Sequence, residues 1–437
     1  MTLRGSMVVA ALLSLVPPPA PRAAEPLTYV GALKRALEVD ERLRISDHER
    51  GRIEAESREN ALRIRPSLGL STSVITNNSA LDVRIGGPMT PPRTIQEGVQ
   101  GDARLEARWD FYQPSHAREQ QAYGEEIEAA RADQGTVEAT VRYESAGAYL
   151  DALVAAARVK VAEADLERAR AQARLARERL DAGEGSRLGL RQLDLAVSAL
   201  ESAKEASAVS EDLARERLRH LLDLGDPPAL PDLDAANLPG RPGNLDAGAL
   251  IAGAMASRTE IAASRRRVEA AKARVVASAA GRRPDAGFAG SVDASTVEGF
   301  DGKKIDARLQ LGLRWTFFDS GLRAAGTDRE LEGQRRVELE ASALARRVET
   351  EVRQSLAALR LALLEEDRTA SLRDQAAAAL EQTEALYVAG EANEMDLSAR
   401  RAELAAASAR LEGARVDRVR AFVTLRFAVG SPISPEL

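Results

Sequence analysis

Asp102-Ala103-Arg104-Leu105-Glu106-Ala107-Arg108-Trp109-Asp110-Phe111-Tyr112 alternates without a break, and a second run repeats the pattern as Ile305-Asp306-Ala307-Arg308-Leu309-Gln310-Leu311-Gly312-Leu313-Arg314-Trp315-Thr316-Phe317. In a strand, successive side chains point to opposite faces. Ala103, Leu105, Ala107, Trp109 and Phe111 therefore share one face, and Arg104, Glu106, Arg108 and Asp110 share the other. In the second run, Ile305, Ala307, Leu309, Leu311, Leu313, Trp315 and Phe317 oppose Asp306, Arg308, Gln310, Gly312, Arg314 and Thr316. Each run has an upstream partner, at residues 67–76 and 285–295, and the intervening Gly/Pro-rich stretches read as hairpin connections. A soluble antiparallel sheet would show the same alternation. Strand length, a fully charged polar face and aromatics gathered at one end favour a transmembrane barrel wall, apolar toward lipid and polar toward water.

The offset between Trp109 and Trp315 is 206 residues, and that between Gly183 and Gly390 is 207. So long a period marks a duplicated half-molecule rather than a solenoid. The predicted fold class is α+β with internal duplication. Each half runs helix, two strands, a very long helix, a Gly turn and a returning helix. The expected boundaries are an export signal at 1–24, a first repeat at 25–244 that ends in a linker with five prolines, and a second repeat at 245–437. Within the signal, Arg4 supplies positive charge, Met7 to Val16 are apolar, and small residues follow a Pro-rich stretch.

From Ser115 to Arg179 there is no proline, and small or apolar residues recur every three or four positions, as in Val137, Val141, Ala148, Ala152 and Ala155. Val337, Ala341, Leu344, Val348, Val352 and Leu356 repeat the seam in the second half. Such helices would be roughly 100 Å long and pack as antiparallel coiled-coil hairpins turning at Gly183 and Gly390. Glu163, Glu167, Arg170, Arg174, Arg177 and Glu178 read as a solvated face.

Charged residues make up 29% of the 437, balanced at a net charge of −6, with no basic stripe, so nucleic acid is not an expected partner. Cysteine is absent and the three histidines are scattered, which removes thiolate and His-based metal sites. No nucleophile, metal or phosphate-binding motif sits in a suitable context, so the expectation is no enzyme, no metal and no cofactor.

The order of elements and the doubled Gly turn resemble the TolC-type outer-membrane efflux protein family. So do Leu27 to Leu37, which are similar to its opening helix, and Arg65 to Leu70, echoed by Arg283 to Gly287, which are similar to its helix-to-strand crossing. The resemblance implies a homotrimer whose strands pool into a twelve-stranded barrel in the outer membrane, with an α-barrel of helical hairpins hanging into the periplasm. It implies a passive exit duct of a tripartite efflux pump or type I secretion system, working with a periplasmic adaptor and an inner-membrane transporter. By the resemblance, Gly183 and Gly390 mark the turns that meet the adaptor. Tyr387 matches the family's tyrosine before the second turn, and Asp396 matches an acidic constriction position. Ala392 stands where an arginine is common, which leaves Glu391, Glu394 and Arg187 to take its part in gating. Trp109, Phe111, Trp315 and Phe317 are the expected interfacial aromatics against outer-membrane lipid. The alternative is a periplasmic adaptor or coiled-coil scaffold, which would carry one hairpin rather than two.

Overall fold

The computed structural model describes residues 26–76, 78, 81–83, 93–96, 99–183, 186–231, 245–296, 303–392 and 394–431. The expected export signal, most of the two hairpin loops and the centre of the proline-rich linker lie outside them.

Four strands form one antiparallel sheet: β1 (Ser67–Thr76), β4 (Val99–Tyr112), β5 (Asp285–Ser295) and β6 (Ile305–Arg314), in the order β1-β4-β5-β6. The two halves of the chain meet at β4 and β5, where Leu105 pairs with Val292 and Trp109 with Phe288. The register keeps the two faces separate across all four strands. Leu70, Leu105, Val292 and Ala307 form one apolar row, while Ser71, Arg104, Asp293 and Asp306 form the row beside it on the other face. The apolar face is bare, with Leu68 77% and Leu309 79% exposed. The polar face is concave and encloses a recess of about 660 Å³ lined by Ser71, Asp102, Arg104, Asp293, Asp306 and Arg308, among others.

Three details differ from the sequence expectation. The second alternating run leaves the sheet at Arg314, so Trp315 and Phe317 lie in the irregular segment before the next helix. The first hairpin loop, longer than its counterpart, carries a small extra hairpin of β2 (Leu81–Val83) and β3 (Arg93–Gln96). The opening helix of each half is two helices. α1 (Tyr29–Val39) and α2 (Glu41–Leu62) break at Asp40, and α5 (Ala247–Ser257) and α6 (Thr259–Ala280) break at Arg258. Both break residues are extended, with ψ 118° and 124°. Asp40 then caps α2 by accepting from the Arg42 backbone N–H at 2.9 Å. Arg258 is held by Glu351 at 2.6 Å and donates to the Ala428 carbonyl at 3.3 Å.

The long helices are α3 (His116–Asp181) and α7 (Leu322–Val388), 66 and 67 residues, about 100 Å each. They return as α4 (Arg187–Leu221) and α8 (Glu394–Val429). Nearer the sheet, α3 packs against α2 and α6, and α6 against α7; nearer the turns, α3 packs against α4 and α8, and α8 against α7. The shorter helices therefore cover α3 and α7 half a length at a time. The protomer is a curtain with α2 and α4 on one edge and α7 on the other.

Midway, α1, α3, α4 and α8 share a core of Leu33, Val141, Tyr149, Leu150, Leu218, Val416 and Val419, and Tyr143 stacks on Phe427 at 4.4 Å. A second core, of Ile261, Val348, Val352, Leu356 and Leu359, joins α5 and α6 to α7 and α8. Three of the charges expected to be solvated on α3 are exposed and also reach across to α4. Arg170 pairs with Glu201 at 2.8 Å, Arg177 with Asp194 at 3.2 Å and Glu163 with Lys204 at 3.0 Å. They remain exposed, so each adds only about 0–1 kcal/mol, but together they fix the hairpin register.

Candidate functional site: a duct wall and two hairpin turns

The wall begins with the polar face of the sheet. Arg104, Arg108, Lys303, Lys304, Arg308 and Arg314 stand among Asp102, Glu106, Asp110, Asp285, Asp293 and Asp306, so neither sign dominates. Arg104 pairs with Asp293 across β4 and β5, Arg108 with Asp110 at 3.2 Å and Arg308 with Asp306 at 2.8 Å. Gly287 leaves room here: a Cβ would sit 2.6 Å from the Asp110 carboxylate, which would have to turn aside.

Where sheet meets helices, the two tryptophans do the same thing twice. The Trp109 indole N–H donates to the Ile64 carbonyl at 2.9 Å, and that of Trp315 to the Arg282 carbonyl at 3.2 Å. Both carbonyls lie just past the ends of α2 and α6, ahead of Pro66 and Pro284. A carbonyl at such an end has no intrahelical partner, and the indole supplies one. Each indole also packs edge-on against the phenylalanine two residues on, Phe111 at 5.7 Å and Phe317 at 6.5 Å. The sequence signalled the aromatics but not these partners, because nothing local links Trp109 to residue 64.

At the far end of the helices, the expected turn residues divide between two hairpins. Tyr387, 41% exposed, sits in the last turn of α7. Gly390 follows with φ +77°, and the Glu391 and Ala392 backbone N–H groups both donate to the Leu386 carbonyl, at 2.9 and 3.2 Å. This is a Schellman closure, which a residue with a Cβ strains. Glu391 is exposed, Glu394 opens α8 and Asp396 is exposed one position before the buried Leu397. Carboxylates in a helix's first turn favour its positive end. The first-half turn uses Gly183 at φ +84°, and Ser186 caps α4, leaving Arg187 exposed beside it. One turn is thus acidic and the other carries a base.

Among the described residues no group of three potential ligands could hold a metal ion, and no helix is long and apolar enough to cross a membrane. A sheet with a bare apolar face and a charged concave face is continued by long helical hairpins, and the same architecture is found in solved outer-membrane channels. The outer membrane efflux protein family matches residues 250–431. No curated protein matches the sequence. Solved structures match nearly the whole chain. The channel CusC is 18% identical with a TM-score of 0.75 and coverage of 94% of this chain and 93% of its own. The Vibrio cholerae outer membrane protein VceC is 17% identical, with a TM-score of 0.73 and coverage of 93% and 97%. The Neisseria gonorrhoeae channel MtrE, solved in its open state, is 18% identical, with a TM-score of 0.73 and coverage of 93% and 90%. The chain therefore has the fold of these outer-membrane channels, and its second half, residues 250–431, is similar to the outer membrane efflux protein family.

Proposed function

We propose that three copies of the chain close into a continuous duct, the exit of a pump whose energy comes from an inner-membrane transporter joined through a periplasmic adaptor. Residues 1–24 serve as the export signal. The observation that carries this reading is the open sheet. Its apolar face is bare, and β1 and β6 are edges whose backbone groups cannot stay unpaired in lipid. Two copies would give eight strands, a barrel filled by its own side chains, whereas twelve leave a wet lumen.

The helical edges support the same closure. The chain exposes 28408 Å², against about 16,000 Å² for a compact monomer of its mass. Bare apolar residues line both the α7 edge and the α2/α4 edge, some of them at equal heights. Val209 and Leu364 each lie 26 residues from their turn glycines, and the spacing from Ile45 to Leu62 equals that from Leu322 to Leu339, 17 residues. One copy's α7 thus offers apolar residues at the heights where the next copy's α2 and α4 need them.

In the trimer, Asp396 and Glu391 form acidic rings at the turn end, with Tyr387, Glu394 and Arg187 as their gating neighbours and Gly183 and Gly390 at the adaptor contact. Trp109, Phe111, Trp315 and Phe317 mark the inner membrane boundary of the barrel. The chain has no cysteine, so the double variant Val209→Cys/Leu364→Cys tests the closure cleanly. Oxidation in membranes should give covalent dimers and trimers. A monomer alone, in a protein that urea washes off the membrane, would replace the duct with a peripheral scaffold.

A further inference from the structure

The chain crosses from helix to strand twice, and it builds the two crossings alike. Each is an Arg-Pro step, Arg65-Pro66 ahead of β1 and Arg283-Pro284 ahead of β5. In each, the carbonyl that a tryptophan grips belongs to the residue just before the arginine, Ile64 in one and Arg282 in the other. The following proline keeps the arginine's backbone out of the helical region. Each arginine is thus placed between an indole clasp and a rigid ring. Both are exposed, and among the described residues neither guanidinium has an ion-pair or hydrogen-bond partner. Their neighbours are engaged. Arg63 lies 3.4 Å from Glu59, Arg282 donates to the Thr327 hydroxyl at 3.4 Å, and Arg323 lies 3.6 Å from Asp319 and donates to the Gly281 carbonyl at 2.8 Å. At each crossing, arginines outnumber the carboxylates that pair with them.

We propose that Arg65 and Arg283 each bind the phosphate of an anionic phospholipid in the periplasmic leaflet, whose acyl chains lie along the outward face of the sheet. The inference rests on the duct reading, which puts both crossings at the level where the barrel leaves the bilayer. An unpaired guanidinium presents a planar fork that matches two phosphate oxygens at once. The surplus of positive charge favours a lipid of net negative charge over a zwitterionic one. The exposed rings of Trp109, Phe111, Trp315 and Phe317 suit the same headgroup level. Past each proline the bare apolar face begins, with Leu68 on β1 and Leu309 and Leu311 on β6 beside β5. The ligand that fits both parts carries phosphate and hydrocarbon together, which a free phosphate ion does not. Duplication gives every copy two such sites, and together they fix the depth at which the wall sits.

The chain's two tryptophans report on the two sites separately. Trp109→Phe leaves Trp315, with its clasp intact, to report on Arg283, and Trp315→Phe leaves Trp109 to report on Arg65. Each protein is reconstituted in phosphatidylcholine vesicles carrying brominated phosphatidylglycerol or brominated phosphatidylcholine, and quenching gives the affinity for one lipid relative to the other. Phosphatidylglycerol should be preferred about fivefold at each indole, the worth of one arginine at an anionic surface. Arg283→Gln should abolish the preference at Trp315 and leave that at Trp109, and Arg65→Gln should do the reverse. Arg104→Gln, on the polar face, should change neither. Inorganic phosphate should weaken the preference no more than chloride of equal ionic strength. Equal quenching by the two lipids, or a preference that survives both arginine substitutions, overturns the sites. A preference lost in phosphate but not in chloride assigns them to a free anion and overturns the proposal as well. Should a glutamine variant fail to insert, the parent protein decides: its preference should shrink between 0.1 and 1 M salt, and one unmoved by salt overturns the sites. Indoles that neither lipid quenches would remove the membrane wall itself, and the sites with it.

Discussion

Leu309 and Gln310 are neighbours in β6 and face opposite ways, so the same substitution at each should have opposite consequences. Leu309 is 79% exposed, packs laterally beside Gly290 in the register, and sits near the middle of a ten-residue strand. On a lipid-facing wall, arginine at that depth costs about 2–4 kcal/mol per copy, or about 6–12 kcal/mol over the proposed trimer. Gln310 pairs with Ala289 on the charged face, where another arginine meets water and nearby carboxylates and should cost less than about 1 kcal/mol. The assay is urea unfolding of folded protein in phospholipid vesicles, with outer-membrane yield as a second measure. Leu309→Arg should lose most of its folded assembly, and Gln310→Arg should resemble wild type. If both behave alike, or Leu309→Arg is the more tolerated, the apolar face does not meet lipid.

Trp109→Phe and Trp315→Phe should each cost about 0.5–1.5 kcal/mol through the lost bond to the Ile64 or Arg282 carbonyl. These are the chain's two tryptophans, so fluorescence of each variant follows the other clasp during unfolding, and an unchanged midpoint would count against the clasps. Gly390→Ala should weaken the second hairpin by about 1 kcal/mol. Open space surrounds the position, so the penalty is the backbone's alone; hydrogen exchange at Glu391 and Ala392 would reveal it, and unaltered protection would refute it. Glu366→Gln should destabilise the fold by about 1.5–3 kcal/mol through loss of the buried charged bond to Arg418, with a drop in melting temperature as the check. Burial pushes the carboxyls of Glu126 and Asp133 up, with Arg274 and Arg267 pulling the other way. That contribution favours the fold below the ordinary carboxylate range and is lost as pH rises through the raised values. Glu126→Gln/Asp133→Asn should therefore flatten stability against pH above the ordinary carboxylate range, and an identical slope in the variant would overturn the assignment.

Periodicity alone made much of this molecule legible. Alternation at 102–112 and 305–314 named the strands and separated their faces, because period two is a property of the extended backbone. The seams of α3 and α7 followed from the spacing of Val and Ala, and the turns at Gly183 and Gly390 from the one residue that takes positive φ without strain. Even the place where alternation misled is local: Trp315 and Phe317 keep the pattern after the strand has ended, since a two-residue period does not require a pairing partner.

What the sequence left open depends on which distant segments meet. The pairing of β4 with β5, the indole bonds to carbonyls 45 and 33 residues away, and the burial of Glu366 beside Arg418 all depend on packing between segments far apart in the chain. So does the difference between Arg170, reaching only across its own hairpin, and Arg420, reaching from one hairpin to the other. Both are arginines on charged helix faces, and composition cannot tell them apart. Only the packed helices decide which charge faces water, which is buried and which bridges the hairpins, because the energy of a charge is set by what surrounds it.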